Sequence, residues 1–328
     1  MSSNHLEFRV TEQSWPLDTP FRTARGASTD ARLVVVTISD GQHTGHGEAA
    51  PISRYQQTPA STVAQLEQIF PQCVDRQQIQ ELLPAGAARN ALDCAFWDLE
   101  AKSSGKRVWE LAKIPIVPSI ETAFTISLNA PEKMAAAAHA SNGAPFLKLK
   151  LGGDSLDLAR VEAVRGAAPS ARLMVDANES WSPSHYREIV PSLCVLGIEL
   201  IEQPFPADAD DVLETLDRPV PICADESCHA TADLPRLANR YDAINVKLDK
   251  TGGLTEALLL TERARERGLK ILFGCMVCTS LGIAPARLLV GAKDYADLDG
   301  PLLLAGDRHH RLAYQTGKIG LPARELWG

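Results

Sequence analysis

With 328 residues, 45% of them hydrophobic, the chain carries enough apolar mass for a large core, which excludes a disordered polymer. A formal net charge of -8 argues against nucleic acid or an anionic membrane surface as partner, since both need a basic face, and no run approaches the roughly 18 apolar residues of a membrane span. Seven scattered cysteines form no disulfide framework and MSSNHLEFRV is no export signal, so the expectation is a reduced, cytoplasmic protein whose partner is a small solute.

The first third of the chain predicts strands followed by helices. A strand is expected around residues 6–11, then a hairpin of residues 32–39 (RLVVVTIS) and 43–49 (HTGHGEA) turning at Asp40 and Gly41. His43 and His46 in that hairpin have no evident ligand partner and are read as solvated. Helical spacing then covers residues 60–70 and 87–103, the second with Ala88, Leu92, Ala95, Phe96 and Leu99 on one stripe and Gly105 at its end. This is α+β organisation, assigned to residues 1–114.

From about residue 115 a beat sets in. The segments VPSIETAFTI, FLKLKL, RLMVDAN, GIELIEQP, PICADES, AINVKLD, KILFGCM and YADLDG recur with amphipathic stretches such as LTEALLLTERARERG between them. Eight strands alternating with helices predict a (β/α)8-type barrel over residues 115–309. No G-x-G-x-x-G follows a first strand to support a doubly wound open sheet. Cys275 and Cys278 form a C-x-x-C without a second pair or a redox context, and read as small residues near a strand end.

Barrel chemistry sits at the C-terminal ends of the strands, and here those ends are ionisable. They carry Lys148 and Lys150, Asp176, Glu202, Asp225 and Glu226, Lys247, and Asp297 with Asp299. In FLKLKL the alternation sends both lysines out of one face and Leu147, Leu149 and Leu151 out of the other. Asp176, Glu202 and Asp225 lie on three consecutive strands, so their carboxylates converge and need a cation. An all-oxygen donor set points to Mg²⁺, with Mn²⁺ a permissible substitute, and away from zinc. Asn178, two residues beyond Asp176, is placed to support that site.

Strands two and six are four steps apart in a ring of eight, so Lys150 and Lys247 are expected on opposite sides of whatever the metal holds. Burial beside a cation and other lysines is expected to lower their pKa into the range of a general base. A carboxylate substrate on the metal would have its α-proton acidified through an enediolate, and bases on both faces imply inversion: racemisation or epimerisation.

The set KLK, DAN, IEQP, ADES and NVKLDKTGG behind an α+β region resembles the enolase superfamily and its muconate-lactonising-enzyme subgroup, across essentially the whole chain. Sites of that superfamily pair a Lys or His base with Mg²⁺. The resemblance implies Mg²⁺ ligands Asp176, Glu202 and Asp225, acid/base lysines Lys150 and Lys247, and Lys148 as the group neutralising the intermediate's carboxylate. It also implies an N-terminal capping domain over a (β/α)7β barrel, with the tail from about 310 to 328 returning to the cap. Barrels of this kind commonly associate, which leaves a homo-oligomer open.

CADESCH, INVKLDKTGGLTEA, GCMVCTS and ADLDGP look like the L-Ala-D/L-Glu epimerases of murein-peptide recycling, and YADLDG like the DxD motif by which such enzymes hold a peptide ammonium. That implies a dipeptide substrate with its ammonium on Asp297 and Asp299. Its side-chain carboxylate needs a cation, for which FRTARG offers Arg22 and Arg25, with Arg25 preferred. The rival within the superfamily is a lyase of the o-succinylbenzoate synthase or cycloisomerase type, against which the acid pair argues. A Schiff-base aldolase would have no use for three carboxylates, and a silent binding protein would not need intact lysines.

Overall fold

The computed structural model describes residues 6–72, 75–141 and 143–328; the first five residues and Cys73 lie outside the described residues. The chain opens with three antiparallel strands, β1 (Glu7–Thr23), β2 (Gly26–Ser39) and β3 (Thr44–Ala49), followed by helices α1 (Pro59–Ile69), α2 (Arg76–Leu82) and α3 (Ala87–Ser104). β1 runs well beyond the expected residues 6–11. It contains Pro16 and Pro20, which are tolerated because β1 is the edge strand of its sheet, with β2 as its one ladder partner there and a single bridge from Leu17 to Leu304 on the other side. His46 is likewise less solvated than expected. Its ring lies within 3.2 Å of Thr37 Oγ1, and burial, with Lys102 and Arg308 nearby, pushes the imidazole down to about 4.

The helix α3 ends at Gly105, which takes a left-handed φ of 71° as its cap. Its apolar stripe packs on β2 and β3 through Val34, Val36, Ile38, Ala91, Leu92 and Ala95. The approach to β3 is close enough that a Cβ on Gly47 would overlap the Ala91 carbonyl oxygen.

The barrel follows a two-residue strand, β4 (Ile120–Glu121). Its strands are β5 (Phe124–Ile126), β6 (Phe146–Lys150), β7 (Arg172–Asp176), β8 (Ile198–Glu202), β9 (Ile222–Ala224), β10 (Ala243–Val246), β11 (Lys270–Gly274) and β12 (Tyr295–Asp297). They form one parallel sheet in sequence order. The ends meet where Ala123 N donates to Ala296 O at 2.8 Å and Leu298 N to Thr122 Oγ1 at 2.8 Å.

Period-two alternation sorts the barrel residues. Leu147, Leu149 and Leu151 join the large core with Val175, Ile201, Ile244 and Phe273. The inward residues Ala123, Phe146, Met174, Leu200, Cys223, Ala243 and Leu272 form an apolar plug. Two residues further along each of those strands, the inward positions are Thr125, Lys148, Asp176, Glu202, Asp225, Asn245 and Gly274. Both lysines of FLKLKL therefore point into the barrel mouth, above the plug.

The C-terminal segment returns to the cap. A short hairpin of β13 (Tyr314–Gln315) and β14 (Lys318–Ile319) pairs with β4, and Trp327 Nε1 then donates to Cys94 O at 3.0 Å while Gly328 N donates to Asp98 at 2.7 Å. No helix among the described residues is long and apolar enough to cross a membrane. Gly47→Ala, which forces a methyl into the α3 backbone, is expected to lower unfolding free energy by about 1–3 kcal/mol; thermal and urea unfolding followed by circular dichroism measure it.

Candidate active site

Asp176, Glu202 and Asp225 are fully buried, and one oxygen from each lies within 4.8 Å of the others. They come from three adjacent strands: Lys150, Asp176 and Glu202 are register partners across β6, β7 and β8, and Asp225 follows the end of β9, two residues past Cys223, the partner of Glu202. Lysines surround the row. Lys150 Nζ is 2.5 Å from Asp176 Oδ2 at one end, and Lys247 Nζ is 2.6 Å from Asp225 Oδ2 at the other. Lys148 Nζ lies 2.7 Å from Glu202 and 3.2 Å from Asp176, and 2.7 Å from Asp297.

Two further side chains hold the row from behind. Asn245 Nδ2 donates to Glu202 Oε1 at 2.8 Å, in space left by Gly274, where a Cβ would lie 2.5 Å from Asn245 Oδ1. Lys250 Nζ donates to Asp225 Oδ1 at 2.6 Å and to Asn245 O at 3.0 Å, fully buried and away from the cavity. Gln203 accepts from Asp225 N at 2.8 Å and Ser227 N at 3.1 Å, fixing the turn that presents Asp225.

The electrostatics are those of buried acids short of positive charge. Burial, reinforced by Asp176, pushes the Glu202 carboxyl up to about 8. Burial also acts against ionised Asp225, but Lys247 and Lys250 hold it well below the usual carboxylate range. The row's own carboxylates act on Lys247 in the opposite sense to the cation on which the expected lowering rests. Burial pulls the Lys247 ammonium down, yet Asp225 and Glu202 more than offset it; Lys148 is likewise raised, by Asp297, Glu202 and Asp176. Lys247 shares Asp225 with Lys250, and Lys148 shares Asp176 with Lys150, so each carboxylate at the ends of the row serves two ammonium groups.

The lysines around the row line a cavity of about 930 Å³ between cap and barrel. Lys148, Lys150, Lys247, Asn178, Asp297 and Asp299 line it from the barrel. Asp297 and Asp299 meet at Thr125, whose N–H donates to Asp299 at 2.6 Å and whose hydroxyl is 3.3 Å from Asp297. Burial and the neighbouring Asp297 raise Asp299 to about 7. From the cap, Arg25 lines the cavity, with Nη1 2.5 Å from Glu226 Oε1 and 3.4 Å from Glu179. Arg22 does not; it lines a neighbouring cavity of about 390 Å³ with Asp18 and Lys133. Asn178 takes a left-handed φ of 45°, donates its N–H to Asp176 Oδ1 at 2.9 Å, and points its amide at Glu226. Cys275 lines the cavity and Cys278 is buried beside it.

Sequence reasoning missed Thr125, Asn245, Lys250, Arg54 and Glu179. Asn245 was within reach, since it sits two residues before Lys247 and shares its face.

The descriptions of known families agree with this geometry. Residues 5–112 match the mandelate racemase / muconate lactonizing enzyme N-terminal domain, and residues 132–324 the enolase C-terminal domain-like family. The chain belongs to the mandelate racemase / muconate lactonizing enzyme family. Within this family it is 45% identical over 318 residues to the L-Ala-D/L-Glu epimerase of Escherichia coli K12, covering 95% of this chain and 99% of that one. It is 44% identical to an N-acetyl-D-glutamate racemase of a Pseudoalteromonas species, over 90% and 95% of the two chains. An enolase family member from Agrobacterium tumefaciens with homology to dipeptide epimerases, solved with sodium and L-Ala-L-Glu, superposes with a TM-score of 0.96 at 46% identity, over 99% of this chain and 100% of that one.

The residues present fit a hard divalent cation. Three buried carboxylates share one point, their donors are all oxygen, and the middle acid resists ionisation without further positive charge. Asn245→Ala, which strips the donor from Glu202, is expected to weaken Mg²⁺ binding by about 10–100-fold; isothermal titration calorimetry with MgCl₂ measures it.

Proposed function

We propose that this protein is a Mg²⁺-dependent dipeptide epimerase that inverts the α-carbon of the C-terminal residue of L-Ala-D/L-Glu, in the cytoplasm and in the service of murein-peptide recycling. The observation that carries the reading is the placement of Lys150 and Lys247 at opposite ends of the carboxylate row, both on the cavity wall. One lysine removes the α-proton from one face and the other returns a proton to the opposite face, which inverts the carbon.

Asp176, Glu202 and Asp225 would hold Mg²⁺, with Mn²⁺ able to replace it. When bound, the ion supplies Lewis-acid stabilisation for a carboxylate that gains charge as its α-proton leaves. Lys148 adds a fixed positive charge beside that carboxylate. Asn178 and Glu226 stand behind the row, Asn178 through its N–H on Asp176 and Glu226 through its bond to Arg25. In this reading the cap, residues 1–114 with the tail from 310, selects the substrate, and the barrel over 115–309 does the chemistry.

The substrate class rests on Asp297 and Asp299. Asp297 already has Lys148, whereas among the described residues the carboxylate of Asp299 is held by the neutral Thr125 and forms no ion pair. A substrate ammonium supplies the missing cation; an N-acetyl group does not. Of Arg22 and Arg25, this reading gives the side-chain carboxylate to Arg25, which lines the larger cavity while Arg22 lines the smaller one. The similarity to an N-acetyl-D-glutamate racemase makes N-acylated glutamate the second reading.

Incubation of L-Ala-L-Glu with the protein and Mg²⁺ in D₂O is expected to place deuterium at the glutamyl α-carbon and yield both epimers, as read by proton NMR, and EDTA is expected to abolish both. N-acetylglutamate is expected to exchange at least about tenfold more slowly, the order of penalty for an unpaired buried charge. Faster exchange with N-acetylglutamate than with the dipeptide transfers the assignment to the second reading.

A further inference from the structure

Three arginines from the cap, Arg25, Arg32 and Arg54, line the cavity; Arg32 pairs with Glu12 of the cap itself, and the barrel treats the other two differently. Arg54 spends its planar fork on Glu179: Nε donates to Oε2 at 3.0 Å and Nη2 to Oε1 at 2.8 Å. Arg25 is held at one corner only, Nη1 on Glu226 at 2.5 Å and on Glu179 at 3.4 Å. Among the described residues, nothing hydrogen-bonds its Nε and Nη2, the edge that suits a carboxylate.

Glu179 is therefore the shared partner of two cap loops, one around Arg25 and one around Arg54. Its side chain is only 10% exposed, and Oε1 also accepts from Ala207 N at 3.0 Å, which pins it to the loop after β8. The backbone is bent to aim it. Asn178 and Glu179 take successive left-handed φ values of 45° and 69°, unusual for residues with a Cβ, and Glu179 N is tied to Gln203 O at 2.9 Å. Next to Arg54, the ring of Tyr55 meets His229 edge-on at 4.7 Å, so the same cap loop also rests on the loop after β9.

We propose that Glu179 is a positioning residue that clasps both cap loops over the cavity mouth, committing Arg54 to the clasp and leaving Arg25 with an open fork for a substrate carboxylate. The clasp stands on the geometry alone; what Arg25 then binds rests on the epimerase reading above. Ion pairs with half-exposed arginines are screened by salt, but two arginines and a backbone N–H on one largely covered carboxylate form a network, not an isolated surface pair. Without its charge, both loops lose their common anchor.

The test uses the full-length protein with Mg²⁺ and the substitutions Glu179→Gln and Arg54→Gln, in two readouts. Limited trypsin digestion, with peptides assigned by mass spectrometry, is expected to show cleavage after Arg25 about tenfold faster in both variants. In steady-state kinetics KM for L-Ala-D-Glu is expected to rise about tenfold with kcat within about twofold, and the double variant is expected to be no worse than Glu179→Gln, because the two residues act as one unit. If Glu179→Gln fails to fold, as judged by circular dichroism, Arg54→Gln carries the test. Faster cleavage without turnover of any dipeptide by the wild-type protein upholds the clasp and removes the epimerase reading. Unchanged cleavage in the folded variants, or a fall in kcat with KM unchanged, overturns the clasp.

Discussion

The constraint on which the rest of the structure depends is the mutual repulsion of three carboxylates that the barrel takes out of water. At about 4 Å and an effective dielectric constant near 20, each like-charged pair costs about 4 kcal/mol, so Asp176, Glu202 and Asp225 cannot share one point without cations close by. The barrel answers with four buried lysines, and access to the cavity separates their uses. Lys250 is sealed behind Asp225 and serves as a permanent counter-ion. Lys150, Lys247 and Lys148 face the cavity and can act on what enters it. One side-chain type thus takes structural and chemical roles according to which side of the carboxylate row it occupies.

The cap is bound to this layer through polar groups that would be costly to bury unpaired. Asp249, two residues after Lys247, accepts from Ala50 N at 2.9 Å and from Asn90 on α3 at 2.9 Å. Ala50 begins the cap segment that lines the cavity. Asp93 of α3 accepts from Thr255 N and Oγ1 at 3.0 and 2.6 Å, and Glu48 of β3 takes Thr279 N and Oγ1 at 2.8 and 2.6 Å. The turn that carries a candidate base and the loop that covers it are therefore referenced to the same helix. Selection by the cap and proton transfer in the barrel share a common frame.

Much of this was legible in the residues because strand alternation maps directly onto a barrel's inside and outside. FLKLK, LMVD and ELIE each carry an apolar inward residue followed two positions later by an ionisable one, so the metal-binding layer could be read without a structure. Helix α3 was equally plain, from its stripe and its terminal glycine. What failed were matters of pairing. The pull of Asp225 and Glu202 on Lys247 was not read, because spacing reveals that charges converge but not which charge each one touches. Glu179 and Arg54 lie 125 residues apart in loops, where no periodicity marks a partner. The full length of β1 was hidden by Pro16 and Pro20, which signal a break in a central strand but not on an edge.

The central claim is that two amines address one carbon from opposite sides of the carboxylate row. The most direct measurement follows α-proton exchange in D₂O separately for L-Ala-L-Glu and L-Ala-D-Glu in Lys150→Ala and Lys247→Ala. The account predicts that neither variant epimerises, and that residual exchange in the two variants falls on opposite stereoisomers. Normal epimerisation by both variants, or exchange retained on the same stereoisomer in both, would contradict it.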